Sequence, residues 1–207
     1  MKNGVANFIS EITWTHNFLA DLLEFIPNNV NSLLDVGCGR GIVGALMRIY
    51  RNPKRLVAVD AFQPSLAFCL QHKLYDEYVN ADLARLPLPF SNGEFDIATC
   101  VEVIEHLPKK TVFKLLDELE RVTNKVIVTT PEFFFHQSCY DENPFQAHLS
   151  LWTVNDFAEK GYSPYLFENI RKVWVKYPAF TSSLQGKILK LARKLFLENG
   201  MILATKP

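Results

Sequence analysis

Residues 33–41 read Leu33-Leu34-Asp35-Val36-Gly37-Cys38-Gly39-Arg40-Gly41. The short apolar run Ser32 to Val36 predicts a buried strand, and Gly37, Gly39 and Gly41 at alternate positions predict a sharp turn. Ile42 to Tyr50 (IVGALMRIY) predicts a helix directly behind it. Glycine lets the backbone turn tightly and bring its N–H groups close to a ligand. The N-terminus of the following helix favours a carboxylate or phosphate there. A strand–helix turn needs glycine in any case, so the pattern alone does not name the ligand.

Arg55 to Val59 (RLVAV) reads as a second strand, and Asp60 closes it. A carboxylate at that place can accept from both hydroxyls of a ribose, which points to a nucleoside-bearing cofactor. The alternative is an acid that merely caps a strand. Further on, Pro64 to Leu74 reads as a helix, Asn92-Gly93 as a turn, and Phe95 to Cys100 as a strand. Thr111 to Val122 is an amphipathic helix with Val112, Leu115, Leu116, Leu119 and Val122 inward, and Lys125 to Thr129 is a strand stopped by Pro131. Strands alternating with helices predict an α/β fold, an open doubly wound and mostly parallel sheet.

The flanks are less regular. Apolar residues from Phe8 to Phe25 recur at near-helical spacing and predict a leading helix that closes at Pro27. Residues 131–152 lack periodicity but are rich in aromatics. A helix from Val154 to Lys160 ends at Gly161 as a C′ glycine would. Tyr165 to Tyr177 is strand-like, Leu184 to Leu197 helical, and Met201 to Thr205 a final strand.

The 207 residues hold 22 Lys plus Arg and 22 Asp plus Glu, so the chain is formally neutral, which argues against a broad electrostatic grip on nucleic acid. Apolar residues make up 48% and charged ones 21%, which excludes general disorder. Cys38, Cys69, Cys100 and Cys139 show no CxxC spacing, so neither a zinc knuckle nor a redox pair is signalled, and all four read as structural thiols. No basic segment followed by an apolar one predicts a secretory leader, and no run approaches the ~20 apolar residues of a membrane span. A reduced, cytoplasmic protein is the simplest expectation.

LLDVGCGRG, then VAVD, then ADLARLPLPFSNGEFDIATCVEVIEHL, in that order, resemble the class I S-adenosylmethionine-dependent methyltransferases, especially the branch that includes quinone-biosynthesis enzymes. The glycine pattern here is GxGxG, whereas nicotinamide dehydrogenases use GxGxxG. The resemblance implies a Rossmann-like, three-layered seven-stranded sheet with its last strand antiparallel. It implies one domain over 1–207, with 28–131 as the cofactor-binding half and 1–27 and 132–200 as acceptor-binding elements. It also implies S-adenosyl-L-methionine as cofactor. By resemblance, Asp35, Gly37, Cys38, Gly39 and Gly41 hold its methionine end and Asp60 its ribose, with Ala61 and Phe62 towards the adenine. Asp82 would accept from the adenine amino group beside Leu83, and Val101 and Glu102 would line the methionyl side. Phe62 is equally readable as a core aromatic, and Asp82 as a turn cap.

Glu102, Glu105 and His106 fall at i, i+3 and i+4, on one side of a helical turn. His106 is the candidate general base; the other reading is that it orders the loop after the strand. With His148, these residues resemble the metal site of small-RNA 2′-O-methyltransferases. The surrounding FQAHLSLW lacks the rest of that motif, so no metal is assigned.

The expected function is methyl transfer to a small acceptor, apolar or aromatic, walled by Trp14, His16, Phe133 to Phe135, Phe145, Trp152 and residues near Trp174. Core packing explains aromatics equally well. The alternatives are a metal-assisted RNA 2′-O-methyltransferase and a non-catalytic binding module. Lys187, Lys190, Arg193 and Lys194 on the 184–197 helix read first as a solvated face, second as a contact with a membrane surface or polyanion.

Overall fold

The computed structural model describes residues 22–131, 136–139, 142–167 and 201–206. Trp14, His16, Phe133 to Phe135, Trp174, the 184–197 helix and most of the leading helix lie outside the described residues.

Among the described residues, seven strands form one sheet: β1 Ser32–Val36, β2 Arg55–Asp60, β3 Glu77–Asn80, β4 Ile97–Val101, β5 Val126–Pro131, β6 Ser163–Phe167 and β7 Met201–Lys206. Their spatial order is β3-β2-β1-β4-β5-β7-β6. The first five run parallel, and β7 lies antiparallel between β5 and β6. The helices are α1 Ile42–Tyr50, α2 Gln63–Gln71, α3 Lys109–Val122 and α4 Val154–Glu159. The expected α/β sheet with an antiparallel last strand is present.

Alternation along β1 builds the layers. Leu34 and Val36 face one cluster, with Leu115, Leu116 and Leu119 of α3, while Leu33 faces the other, with Met47 of α1 and Leu66 of α2. β1 is paired with β2 on one side and β4 on the other. Chain order therefore reverses beside β1, and a crevice opens there at the carboxyl ends of the strands. Every residue from the glycine turn, from Asp60 and from the segment after β4 reaches that end.

Trp152 belongs to the core rather than to an acceptor wall. It is fully buried, with its ring 5.5 Å from those of Phe113 and Phe157. Cys38, Cys69 and Cys100 are buried as expected, but Cys139 is exposed.

Candidate active site

The turn after β1 uses its glycines in different ways. Gly37, Gly39 and Gly41 all have positive φ (71°, 51° and 80°). A Cβ on Gly37 would meet Val103 at 2.4 Å, and one on Gly41 would meet Leu74 at 2.6 Å. Those two glycines admit the packing beneath the turn. A Cβ on Gly39 would meet nothing within 4 Å. Gly39 therefore fronts open space, and its backbone is the part of the turn a ligand can approach.

Asp60 ends β2 against the same turn. Its Oδ2 accepts the Gly39 N–H at 2.8 Å and its Oδ1 the Phe62 N–H at 2.7 Å. Burial pushes the Asp60 carboxyl above its ordinary range, and the N–H donors of Phe62, Gly39 and Ala61 pull it back. Asn80, which the sequence reading passed over, holds the strand end by donating to the Asp60 and Ala61 carbonyls. Phe62 is half-buried just ahead of α2. Asp82 accepts the Ala84 N–H at 2.9 Å, so it caps its own turn while its side chain stays partly exposed, beside the buried Leu83.

Asp35 is 1% exposed. Thr99 donates to its Oδ1 at 3.0 Å and Tyr75 to its Oδ2 at 2.5 Å. The carboxylate thus stands behind the glycine turn and not on its open side. Burial raises its pKa to about 6, against the two hydroxyl donors. Tyr75 is a second residue the sequence reading missed; the signal for it was Gly44, a glycine inside a helix.

After β4 the chain departs from the expected helical turn. Glu102 takes a left-handed conformation (φ 54°), and only Ile104–His106 forms a turn of 3-10 helix. Glu102 therefore does not share a helix face with Glu105 and His106. Its carboxylate accepts from the Thr129 hydroxyl at 2.9 Å, and burial pushes it up to about 7. Glu105 is buried, accepts from the Thr130 hydroxyl at 3.0 Å, and is raised well above the usual carboxylate range by burial and by Glu102. It is not the solvated acid that its charge suggests.

The loop before α4 is pinned onto this turn. Leu149 and Ser150 donate their N–H groups to the Glu105 carbonyl, and the Ser150 hydroxyl donates to that of Ile104. This brings the His148 ring to 4.9 Å from the His106 ring. Ligand atoms of Glu105, His106 and His148 all lie within 4.8 Å of one another. His106 Nδ1 lies 3.2 Å from the Ala147 carbonyl, which can only accept, so Nδ1 carries the proton and Nε2 the lone pair. Burial lowers the His106 pKa to about 4, leaving a neutral imidazole at pH 7. Phe145, Leu149 and Leu151 of the same segment are 43%, 57% and 42% exposed.

Residues 34–126 match the family model of the methyltransferase domain. That stretch is similar to the methyltransferase domain family. Over 95 residues the chain is 34% identical to the ubiquinone biosynthesis O-methyltransferase of Pseudoalteromonas translucida, a stretch that is 42% of this chain and 39% of that enzyme. The chain thus spans less than half the length of the first curated relatives it matches. The structure of a DhpI–SAH complex aligns with a TM-score of 0.66 at 13% identity, over 100% of this chain and 90% of that one, and shows the shared fold. The methyltransferase domain of the bacterial CtHen1-CN protein aligns with a TM-score of 0.53 at 26% identity, over 74% of this chain and 89% of that one. No helix among the described residues is long and apolar enough to cross a membrane.

Proposed function

We propose that this chain transfers the methyl group of S-adenosylmethionine to an oxygen, nitrogen or carbon atom of a small apolar or aromatic acceptor. The observation that carries the reading is the pairing of Gly39 and Asp60. An open backbone approach stands directly beside a strand-end carboxylate, as a nucleoside-bearing cofactor requires. The relative and the solved structures named above are methyltransferases or complexes with a methyltransferase product, which supports the same reading.

On this reading Asp60 accepts the ribose hydroxyls, and the turn Gly37 to Gly41 receives the methionine end. Cys38 fills the inside of that turn. Ala61 and Phe62 flank the adenine, with Asp82 and Leu83 across from them, and Val101 and Glu102 border the methionyl side. The bound cofactor supplies a sulfonium that is already reactive. The chain's task is to align the acceptor in line, exclude water and take a proton where the acceptor is a hydroxyl. On this reading His106 takes that proton at Nε2, which the bond of Nδ1 to the Ala147 carbonyl leaves with the lone pair. Phe145, Leu149 and Leu151 offer an apolar surface for the acceptor. A methyl-label transfer assay against pools of phenolic and quinol-type metabolites, with RNA in parallel, tests the proposal. Label in a small molecule supports it, label in RNA moves the acceptor class, and cofactor binding without transfer to any pool indicates a non-catalytic module.

A second reading is favoured by the convergence of Glu105, His106 and His148. One carboxylate and two imidazoles form a mixed oxygen–nitrogen set suited to a divalent cation. In that case the three residues would hold the ion, which would lower the pKa of an acceptor hydroxyl. An activity lost with chelator and restored by Mg²⁺ or Mn²⁺ tests it.

A further inference from the structure

Gly44 lies inside α1, where helix propensity gives glycine no advantage. A Cβ there would sit 2.3 Å from Cζ of Tyr75 and 2.6 Å from its hydroxyl oxygen. The glycine exists to admit that ring. The Tyr75 residue is 4% exposed, and its backbone N–H and carbonyl are both tied to the Tyr78 hydroxyl. Its own hydroxyl donates to Asp35 Oδ2 at 2.5 Å and accepts the Gly44 N–H at 3.1 Å. One oxygen thus joins the buried acid near the end of β1 to the first turn of α1. These are the two anchors between which the glycine turn is strung.

We propose that Tyr75 is a positioning residue of the cofactor turn: it holds the start of α1 against Asp35, and so presents the turn, with the Asp35 charge behind it, to the cationic methionyl end of the cofactor. This rests on the reading of the turn as a cofactor site. Tyr75 is too deep to touch the ligand, so it acts through Asp35 and Gly44. The attraction between an ionised Asp35 and a cation in front of the turn is little screened at this depth. The groups facing Asp35 are the hydroxyls of Tyr75 and Thr99, the Asp60 carboxylate and the thiols of Cys38 and Cys100. The hydroxyls favour the ionised form, and the Asp60 charge opposes it.

The test is calorimetric titration of the whole chain with S-adenosylhomocysteine, whose ammonium is the cation, between pH 5 and 8.5. Wild-type affinity should fall as the pH drops through about 6, where Asp35 gains a proton. Tyr75→Phe removes one donor from the carboxylate, so this midpoint should rise by about one pH unit, and affinity should fall about twofold at pH 7 and about tenfold towards pH 5. A tyrosine that only filled space would weaken binding equally at every pH and leave the midpoint in place. If Tyr75→Phe does not fold, 3-fluorotyrosine incorporated at position 75 keeps the shape with a stronger donor, and the midpoint should then move down. A wild-type chain that binds but whose midpoint ignores both changes overturns the proposal alone. A wild-type chain that binds no S-adenosylhomocysteine overturns the reading of the turn together with it.

Discussion

Asp60 accepts the Gly39 N–H at 2.8 Å, so the end of β2 and the middle of the glycine turn are one unit. The bond sets the carboxylate beside the open face of Gly39, where a Cβ would meet nothing within 4 Å beyond the adjoining residues. It also explains why an acid at the end of a strand matters to a turn more than twenty residues away in another element.

Asp60→Ala should weaken binding of S-adenosylhomocysteine at least tenfold. Two charge-assisted hydrogen bonds to the ribose are lost, each worth ~1.5–3 kcal/mol, and ~1.4 kcal/mol is a factor of ten. The N–H groups of Gly39 and Phe62 also lose their acceptor. A calorimetric loss below threefold would mean that the acid serves only the strand end.

The glycines should separate by role. Gly39→Val puts a branched side chain into open space, so binding should vanish while the fold survives a backbone strain of about 1–3 kcal/mol at φ 51°. Gly41→Ala drives a Cβ to 2.6 Å from Leu74 and 2.9 Å from the Cys69 sulfur, so its main effect should be a lower melting temperature. Thermal unfolding followed by circular dichroism, with calorimetry on the folded variant, distinguishes the two.

How far these roles were legible differs along the chain. Ser32 to Val36 and Ile42 to Tyr50 form the predicted strand and helix because the signals are local: an apolar run, alternate glycines, then helical spacing. Glu77–Asn80 was not legible as a strand, since this edge strand is half-exposed and carries no apolar run. Tyr75 and Asp35 are 40 residues apart, and only the packed fold brings them together. The spacing of Glu102 predicts a helix face shared with Glu105 and His106; its left-handed backbone and its bond to Thr129 set it apart from them. Aromatic content alone cannot tell a wall from a core, so the sequence leaves Trp152 open to either place.

Trp152→Ala should destabilise the fold by about 3–5 kcal/mol, as expected for removing a fully buried indole packed between two rings. Phe145→Ala, at an exposed position, should leave the melting temperature nearly unchanged and raise KM for an apolar acceptor. Equal destabilisation by the two would contradict the division between core and acceptor surface.

Asp35→Asn should stabilise the protein at pH 8. The folded-state pKa of Asp35 is raised to about 6 from 3.8, chiefly by burial. Its contribution is most favourable below the unfolded-state value and is lost as the pH rises through about 6. The gain in melting temperature over the wild type should therefore be largest at pH 8 and shrink by pH 5, while cofactor affinity falls. A gain independent of pH would remove Asp35 ionisation as its cause.

If the second reading holds for the acid–histidine cluster, Co²⁺ binds the wild type with visible absorption that His148→Ala and His106→Ala each abolish, and chelator slows methyl transfer. Absence of a cobalt signal, with turnover indifferent to chelator, would leave His106 as a metal-free base.

The measurement that bears most directly on the cofactor site is calorimetric titration of the wild-type chain and of folded Gly39→Val with S-adenosylhomocysteine at pH 7.5. One molecule should bind per wild-type chain, and none to the variant. A wild type that releases no binding heat and gains no thermal stability from the ligand, or a Gly39→Val chain that binds as tightly as the wild type, would contradict the placement of the cofactor at the glycine turn.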